Sequence, residues 1–249
     1  MPGEVLLEIE GPVAVLTLAA PQRRNALTTA MVEELIAACD EIDANEAVGA
    51  AVIQSQGRSF CAGADRSLLA AVAADPASDT GFRDLGAAYS AFARVGELKV
   101  PTIAAVRGHA VGAGLNLVLA TDLRIVAEGA RLIGAFLSLG IHPGGGHFTL
   151  LGRLASRETV AAMSIFGEEI SGRRAAELGI AWEAVAEDAV EPRALELAHR
   201  GGVDPPLSRA TIRSMRTELG PPALPWPAAL EMERAVQMWS LQRRPPQAS

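Results

Sequence analysis

The sequence predicts an α/β protein whose strands and helices alternate along the chain. Three observations carry this. The apolar runs Ala50–Ser55 and Thr102–Val106 show no polar alternation, the pattern of strands covered by helices on both faces. Each is followed by a turn of small residues, Ser59-Phe60-Cys61-Ala62-Gly63-Ala64-Asp65 and Gly108-His109-Ala110-Val111-Gly112-Ala113-Gly114. Helical spacing appears ahead of and between these apolar runs, first at Met31, Leu35, Ile36, Cys39 and Ile42. Strand, turn and helix in succession imply βαβ units and a right-handed spiral of turns.

The remaining elements follow in order. Residues 5–10 and 13–18 flank Gly11-Pro12, a hairpin signal. Residues 21–27 read as a polar loop, and Thr28 or Thr29 caps the helix that runs to residue 45. Residues 75–80 are loop-like, after which Phe82, Leu85, Tyr89 and Phe92 mark one face of a helix as core or pocket wall. A helix follows Gly112, and Leu123–Ala127 is a strand. Residues 144–154 become helical at their end, Ser156 caps 157–166, Ser171 caps a helix stopped by Gly179, and 180–185 is the last strand. Helices at 190–200 and 206–219 precede a stiff linker, 220–227, with Pro221, Pro222, Pro225 and Pro227, and a final helix covers 228–242.

A chain of 249 residues supports one large domain, or a domain with a helical extension. The division expected is a spiral core over 1–188 and a helical region over 189–249. A net charge of −7 without a Lys/Arg cluster argues against a nucleic-acid partner, while leaving room for a single Arg to meet a phosphate. Two cysteines, Cys39 and Cys61, make no disulfide framework. With no signal pattern and no apolar run of the roughly 18 residues a span needs, the expectation is a cytoplasmic protein without a membrane span.

Small-residue turns expose backbone N–H groups, and two of them aimed at one point suit a negatively charged carbonyl oxygen. Around these turns stand Arg24-Asn25-Ala26-Leu27, Val100-Pro101-Thr102-Ile103-Ala104-Ala105-Val106-Arg107-Gly108, Thr121-Asp122-Leu123-Arg124, Leu139-Gly140-Ile141-His142-Pro143-Gly144-Gly145-Gly146 and Ala175-Ala176-Glu177-Leu178-Gly179-Ile180. In these segments the chain resembles the crotonase superfamily, the enoyl-CoA hydratase/isomerase family. The resemblance implies a ββα spiral with a helical C-terminal trimerisation region, assembled as a homotrimer or homohexamer. It implies an acyl-CoA thioester substrate in fatty acid metabolism, with coenzyme A arriving on the substrate and no permanently bound cofactor. By the same resemblance the N–H groups of Ala64 and Ala113 form the oxyanion hole, and Arg24 and Ala26 lie along the CoA. Ala62, Gly63, Asp65, Gly112 and Phe136 border the same site. A further helix is usual in the family beyond Arg243-Arg244-Pro245-Pro246 and is expected to be shortened here.

Hydratases of this family use two glutamates as acid and base; their places hold Asn116 and Phe136. The aspartate of certain isomerases would stand at Gly144. Asn and Phe transfer no protons near neutral pH, so a conventional hydratase is not expected. His142 and His147 are the candidates to replace the carboxylates, against the plainer reading of a bonded loop histidine and a helix-start histidine. Asn116 either orients a water or substrate carboxylate or bonds structurally; Glu97 is an outside candidate for a displaced acid. Asp65 and Asp122 are structural by family analogy. No metal pattern is present, and the triple glycine lacks the Lys and Ser/Thr of a phosphate loop. The alternative to an enzyme is a non-catalytic acyl-CoA-binding or carrier protein.

Overall fold

A computed structural model describes residues 3–243. In chain order its elements are β1 Val5–Glu10, β2 Val13–Leu18, α1 Thr29–Ala44, β3 Ala50–Ser55, β4 Ser59–Cys61, α2 Arg66–Ala74 and α3 Asp79–Gly96. Then come β5 Thr102–Val106, β6 His109–Val111, α4 Ala113–Leu119, β7 Leu123–Ala127, β8 Arg131–Ile133, α5 His147–Gly152 and α6 Arg157–Ser164. The chain continues through β9 Ile170–Ser171, α7 Gly172–Glu177, β10 Glu183–Val185, α8 Val190–Gly202, α9 Pro205–Leu219 and α10 Trp226–Gln242.

The larger sheet has the order β1-β2-β3-β5-β7-β10, antiparallel at β1–β2 and parallel elsewhere. A second sheet, β4-β6-β8-β9, is parallel except at β8–β9. Each turn therefore places one strand in each sheet before its helix: β3 then β4, β5 then β6, β7 then β8. Strands β3 and β5 are buried on both faces, with α8 packed against both, which is why their sequences lack alternation.

Thr28 caps α1, its hydroxyl accepting from the Met31 N–H at 3.1 Å. Ser156 and Ser171 cap α6 and α7 in the same way. Three expectations need correcting. Residues 66–74 form α2, a short helix with no buried residue and hence no clear apolar signal in the sequence, capped by Asp65. Phe82 is 82 % exposed and belongs to neither core nor pocket, while Leu85, Tyr89 and Phe92 do face inward. Helix α6 ends at Ser164, leaving Ile165 and Phe166 exposed.

Val190, Ala194 and Ala198 of α8 lie in the main core, so packing runs on across position 188. Helix α10 buries none of its residues. Arg244, Pro245 and Pro246, beyond which the shortened helix was expected, lie outside the described residues. Among those described, no helix is long and apolar enough to cross a membrane.

Candidate active site

The second sheet brings the two small-residue turns together. β4 and β6 are neighbours, so the turns leaving them, 62–65 and 112–114, emerge side by side. Gly63 has φ +93°, and a Cβ there would lie 2.7 Å from the Val111 carbonyl oxygen and 3.5 Å from Ala113 N. A Cβ on Gly114 would collide with the Cys61 carbonyl. Only glycine allows so close an approach. Ala113 is the first residue of α4, where an N–H has no carbonyl four residues back. Among the described residues, neither its N–H nor that of Ala64 donates to a protein group.

The loop before α1 lies along the first turn. Ala62 N donates to Arg24 O at 3.0 Å, Leu27 N to Gly63 O at 2.8 Å, and Asp65 N to Leu27 O at 3.1 Å. Asn25 holds this loop from inside: its Oδ1 accepts from Ala20 N, and its Nδ2 donates to Gln56 O and Ser59 O, each at 2.9 Å. Residues 21–23 thus form a short 3₁₀ turn, with Arg24 and Asn25 at positive φ. The Arg24 side chain is exposed and has no ion-pair partner among the described residues.

Over these turns sits a cavity of about 290 Å³. Ala64 and Ala113 form its floor; Leu69 and Val72 of α2 and Leu85 and Tyr89 of α3 make one wall; Phe136, His142 and Gly144 close the other side. Among the described residues, no Asp or Glu lines it. Ala62, Gly63 and Gly112 border it as well. Asp65 does not: its carboxylate accepts from the Ser67 N–H at 2.9 Å and from the Ser67 hydroxyl, which holds its pKa below the usual range. Asp122 accepts from Thr102 and pairs with Arg216 at 2.6 Å. A wider cleft of about 990 Å³ lies under α10 and contains neither turn. Glu97 opens into that cleft and is exposed there, which removes it as an acid at the candidate site.

The two loop histidines part company. His142 borders the cavity, and its Nδ1 lies 2.7 Å from Pro143 O. That carbonyl can only accept, so Nδ1 carries the proton and Nε2 is the basic nitrogen of the neutral ring. His147 begins α5 and turns inward beneath Phe136, with ring centroids 4.8 Å apart. It is buried and does not border the cavity, so the expectation of a proton-transferring His147 does not match its placement. Burial pushes its pKa down to about 4, which keeps it neutral at pH 7. Its Nδ1 meets Asn116 Oδ1 at 2.8 Å and its Nε2 meets Ser164 Oγ at 3.0 Å. Asn116 Nδ2 donates to Gly144 O at 3.0 Å. Ser164 was not singled out in the sequence; nothing short of the fold brings it next to residue 147. Cys61, beneath the floor, has its thiol pushed up to about 12 by burial and is no nucleophile.

A profile of the family described as Enoyl-CoA hydratase/isomerase matches residues 8–238. "Probable enoyl-CoA hydratase EchA14" of Mycobacterium tuberculosis is 41% identical over 214 residues, 84% of this chain and 81% of that protein. The 1,2-epoxyphenylacetyl-CoA isomerase of Escherichia coli is 30% identical over 209 residues, 84% of this chain and 80% of that protein. Among solved structures, an enoyl-CoA hydratase from Polaromonas sp. JS666 superposes with a TM-score of 0.87 at 26% identity, over 97% of this chain and 93% of that one. Pseudomonas aeruginosa PA4980 gives 0.83 at 32% identity, over 94% and 98%. The chain belongs to the enoyl-CoA hydratase/isomerase family, within the crotonase superfamily, and to that class of enzymes.

Proposed function

We propose that the chain binds an acyl-CoA thioester with its carbonyl oxygen between the N–H groups of Ala64 and Ala113. The observation that carries this is two unengaged backbone donors on the floor of an apolar cavity. As a proton leaves the carbon next to the thioester, negative charge moves onto that oxygen. Donors already aimed there stabilise the enolate without reorganising, each by roughly 3–4 kcal/mol. Arg24, exposed and held beside the first turn, and the backbone at Ala26 would meet the CoA portion, as the family resemblance implies.

Proton transfer falls to His142. The resemblance puts Asn116 and Phe136 in the places of the usual glutamates, and among the described residues no carboxylate borders the cavity. The free Nε2 of His142 takes the proton and returns it to another acyl carbon, which is isomerisation rather than hydration. The absence of a carboxylate also favours a second reading, a non-catalytic acyl-CoA-binding protein. Helices α9 and α10 would serve contacts within a homotrimer or homohexamer, supported by the exposed Leu230, Met238 and Trp239. Helix α8 would then belong with residues 1–188 to the working core, leaving α9 and α10 as the assembling region, in a cytoplasmic protein of fatty acid metabolism.

The test is mass spectrometry of crotonyl-CoA and a 3-enoyl-CoA after incubation in heavy water. Deuterium uptake or a moved double bond, lost in His142→Ala while thioester binding persists, is the expected result. Addition of a whole water would mean a hydratase and overturn the assignment. Binding of both compounds without change would favour the carrier reading.

A further inference from the structure

Among the described residues, three polar side chains line the cavity: Tyr89, Asn116 and His142. Asn116 transfers no proton near neutral pH and is tied to Gly144 O and His147. That leaves Tyr89 and His142 as the proton carriers on the wall. The Tyr89 ring packs against Phe92, with centroids 5.8 Å apart, and both rings press on the triple-glycine loop. A Cβ on Gly144 would lie 2.3 Å from the Tyr89 hydroxyl oxygen, and one on Gly145 would lie 2.4 Å from the tip of the Phe92 ring. The glycines at 144 and 145 thus make room for α3. Tyr89 comes from α3 and Gly144 from the loop that carries His142, so the hydroxyl stands at the seam between two walls of the cavity. It bonds to no protein group among the described residues, yet it is not sealed from solvent.

We propose that Tyr89 is a second catalytic residue, the hydroxyl through which the proton taken by His142 reaches the other acyl carbon. This rests on the proposed function and adds a step to it. The need for a second group follows from how His142 is held. Its Nδ1 bonds to the carbonyl of the next residue at 2.7 Å, which pins the ring and leaves a single lone pair, on Nε2, at a fixed angle. A carboxylate has two oxygens with which to serve two carbons; a pinned imidazole serves one. A phenol donates and accepts at the same oxygen, which suits a relay. With a 3-enoyl thioester, His142 Nε2 takes a proton from the carbon next to the thioester, and the C–H electron pair enters the enolate. At the far end of the conjugated system the Tyr89 O–H bond breaks and a C–H bond forms, as the double bond moves one place toward the thioester. The pair left on the phenolic oxygen accepts the proton held by His142, directly or through one water. Both side chains end as they began, and no co-reactant is consumed.

A 3-enoyl-CoA incubated in heavy water separates the two residues, with mass spectrometry of both the recovered thioester and the shifted product. Exchange at the carbon next to the thioester needs His142 alone; movement of the double bond needs Tyr89 as well. Tyr89→Phe keeps the ring against Phe92 and should go on exchanging deuterium into the recovered 3-enoyl-CoA. Its 2-enoyl product should fall about 10²-fold or more, the usual worth of a positioned proton donor. His142→Ala should lose both signals. Gly144→Ala, whose Cβ displaces the hydroxyl, should repeat the split with α3 itself unaltered, and decides the matter should Tyr89→Phe not fold. A side chain that only packs the wall would lower exchange and shift together. Double-bond movement at the wild-type rate in Tyr89→Phe, or parallel loss of exchange and shift, overturns the proposal alone. A wild type that neither exchanges nor shifts overturns it together with the proposed isomerisation.

Discussion

The floor and the outer wall of the cavity are built on opposite principles. The floor is two strand-to-helix turns pressed together until no side chain fits between them, with Gly63 against Val111 and Gly114 against Cys61. Behind it stand α4, whose residues are almost all buried, and the Asn116–His147–Ser164 chain. The wall is α2, which buries none of its residues, and the first turns of α3, where Phe82 projects outward. Floor atoms are fixed by backbone packing at the ends of two neighbouring strands of the second sheet; wall atoms are fixed by a few half-buried aliphatic contacts. Under the proposed function, the part that would meet the thioester is the rigid one and the part that would meet the acyl chain is the adjustable one.

The sharpest way to break this contrast is Ala113→Pro. Proline is tolerated at the first position of a helix, and Gly112, at φ 52° and ψ −114°, is not in the α region that a following proline disfavours. The substitution deletes one floor donor and keeps the helix. We expect kcat to fall about 10²–10³-fold, with little change in melting temperature, measured by deuterium exchange into the acyl group.

Next in size is the pH dependence of the floor's support. His147 titrates at 6.5 when exposed and at about 4 when folded. Its folded pKa is depressed, so the unfolded chain takes up the proton first as pH falls. The contribution is whole above pH 6.5 and is lost progressively toward pH 4, on the order of 3 kcal/mol in total. Urea unfolding at stepped pH should show this slope in the wild type and a flatter one in His147→Gln.

The smallest effect is expected at the wall. Leu69→Ala should cost about 1 kcal/mol or less in stability, since the side chain is only half-buried, while moving the preference toward bulkier acyl chains. Binding constants across acyl lengths check it. A loss as large as that at Ala113 would mean that the wall is as rigid as the floor.

The floor was legible in the sequence because its requirements are local: a β-branched run, then glycine where φ turns positive or backbones touch. The caps at Thr28, Ser156 and Ser171 were legible for the same reason. The wall was not. Helix α2 carries Leu68, Leu69 and Val72 at helical spacing behind an Asp65 cap, but it is short and buries nothing, so its periodicity is faint. His147 and Glu97 could not be placed from sequence. The direction in which each side chain points depends on where its element begins, and one residue of phase separates a cavity wall from the space behind it. The bonds joining residues 116, 147 and 164 span 31 and 17 positions, and only the completed spiral closes them.

The two donors of the floor are peptide groups. Short of proline, no exchange of side chain at position 64 or 113 removes them, and alanine already stands at both. If the proposed thioester grip holds, it is independent of every proton-handling side chain around the cavity, since single substitutions there leave both donors in place.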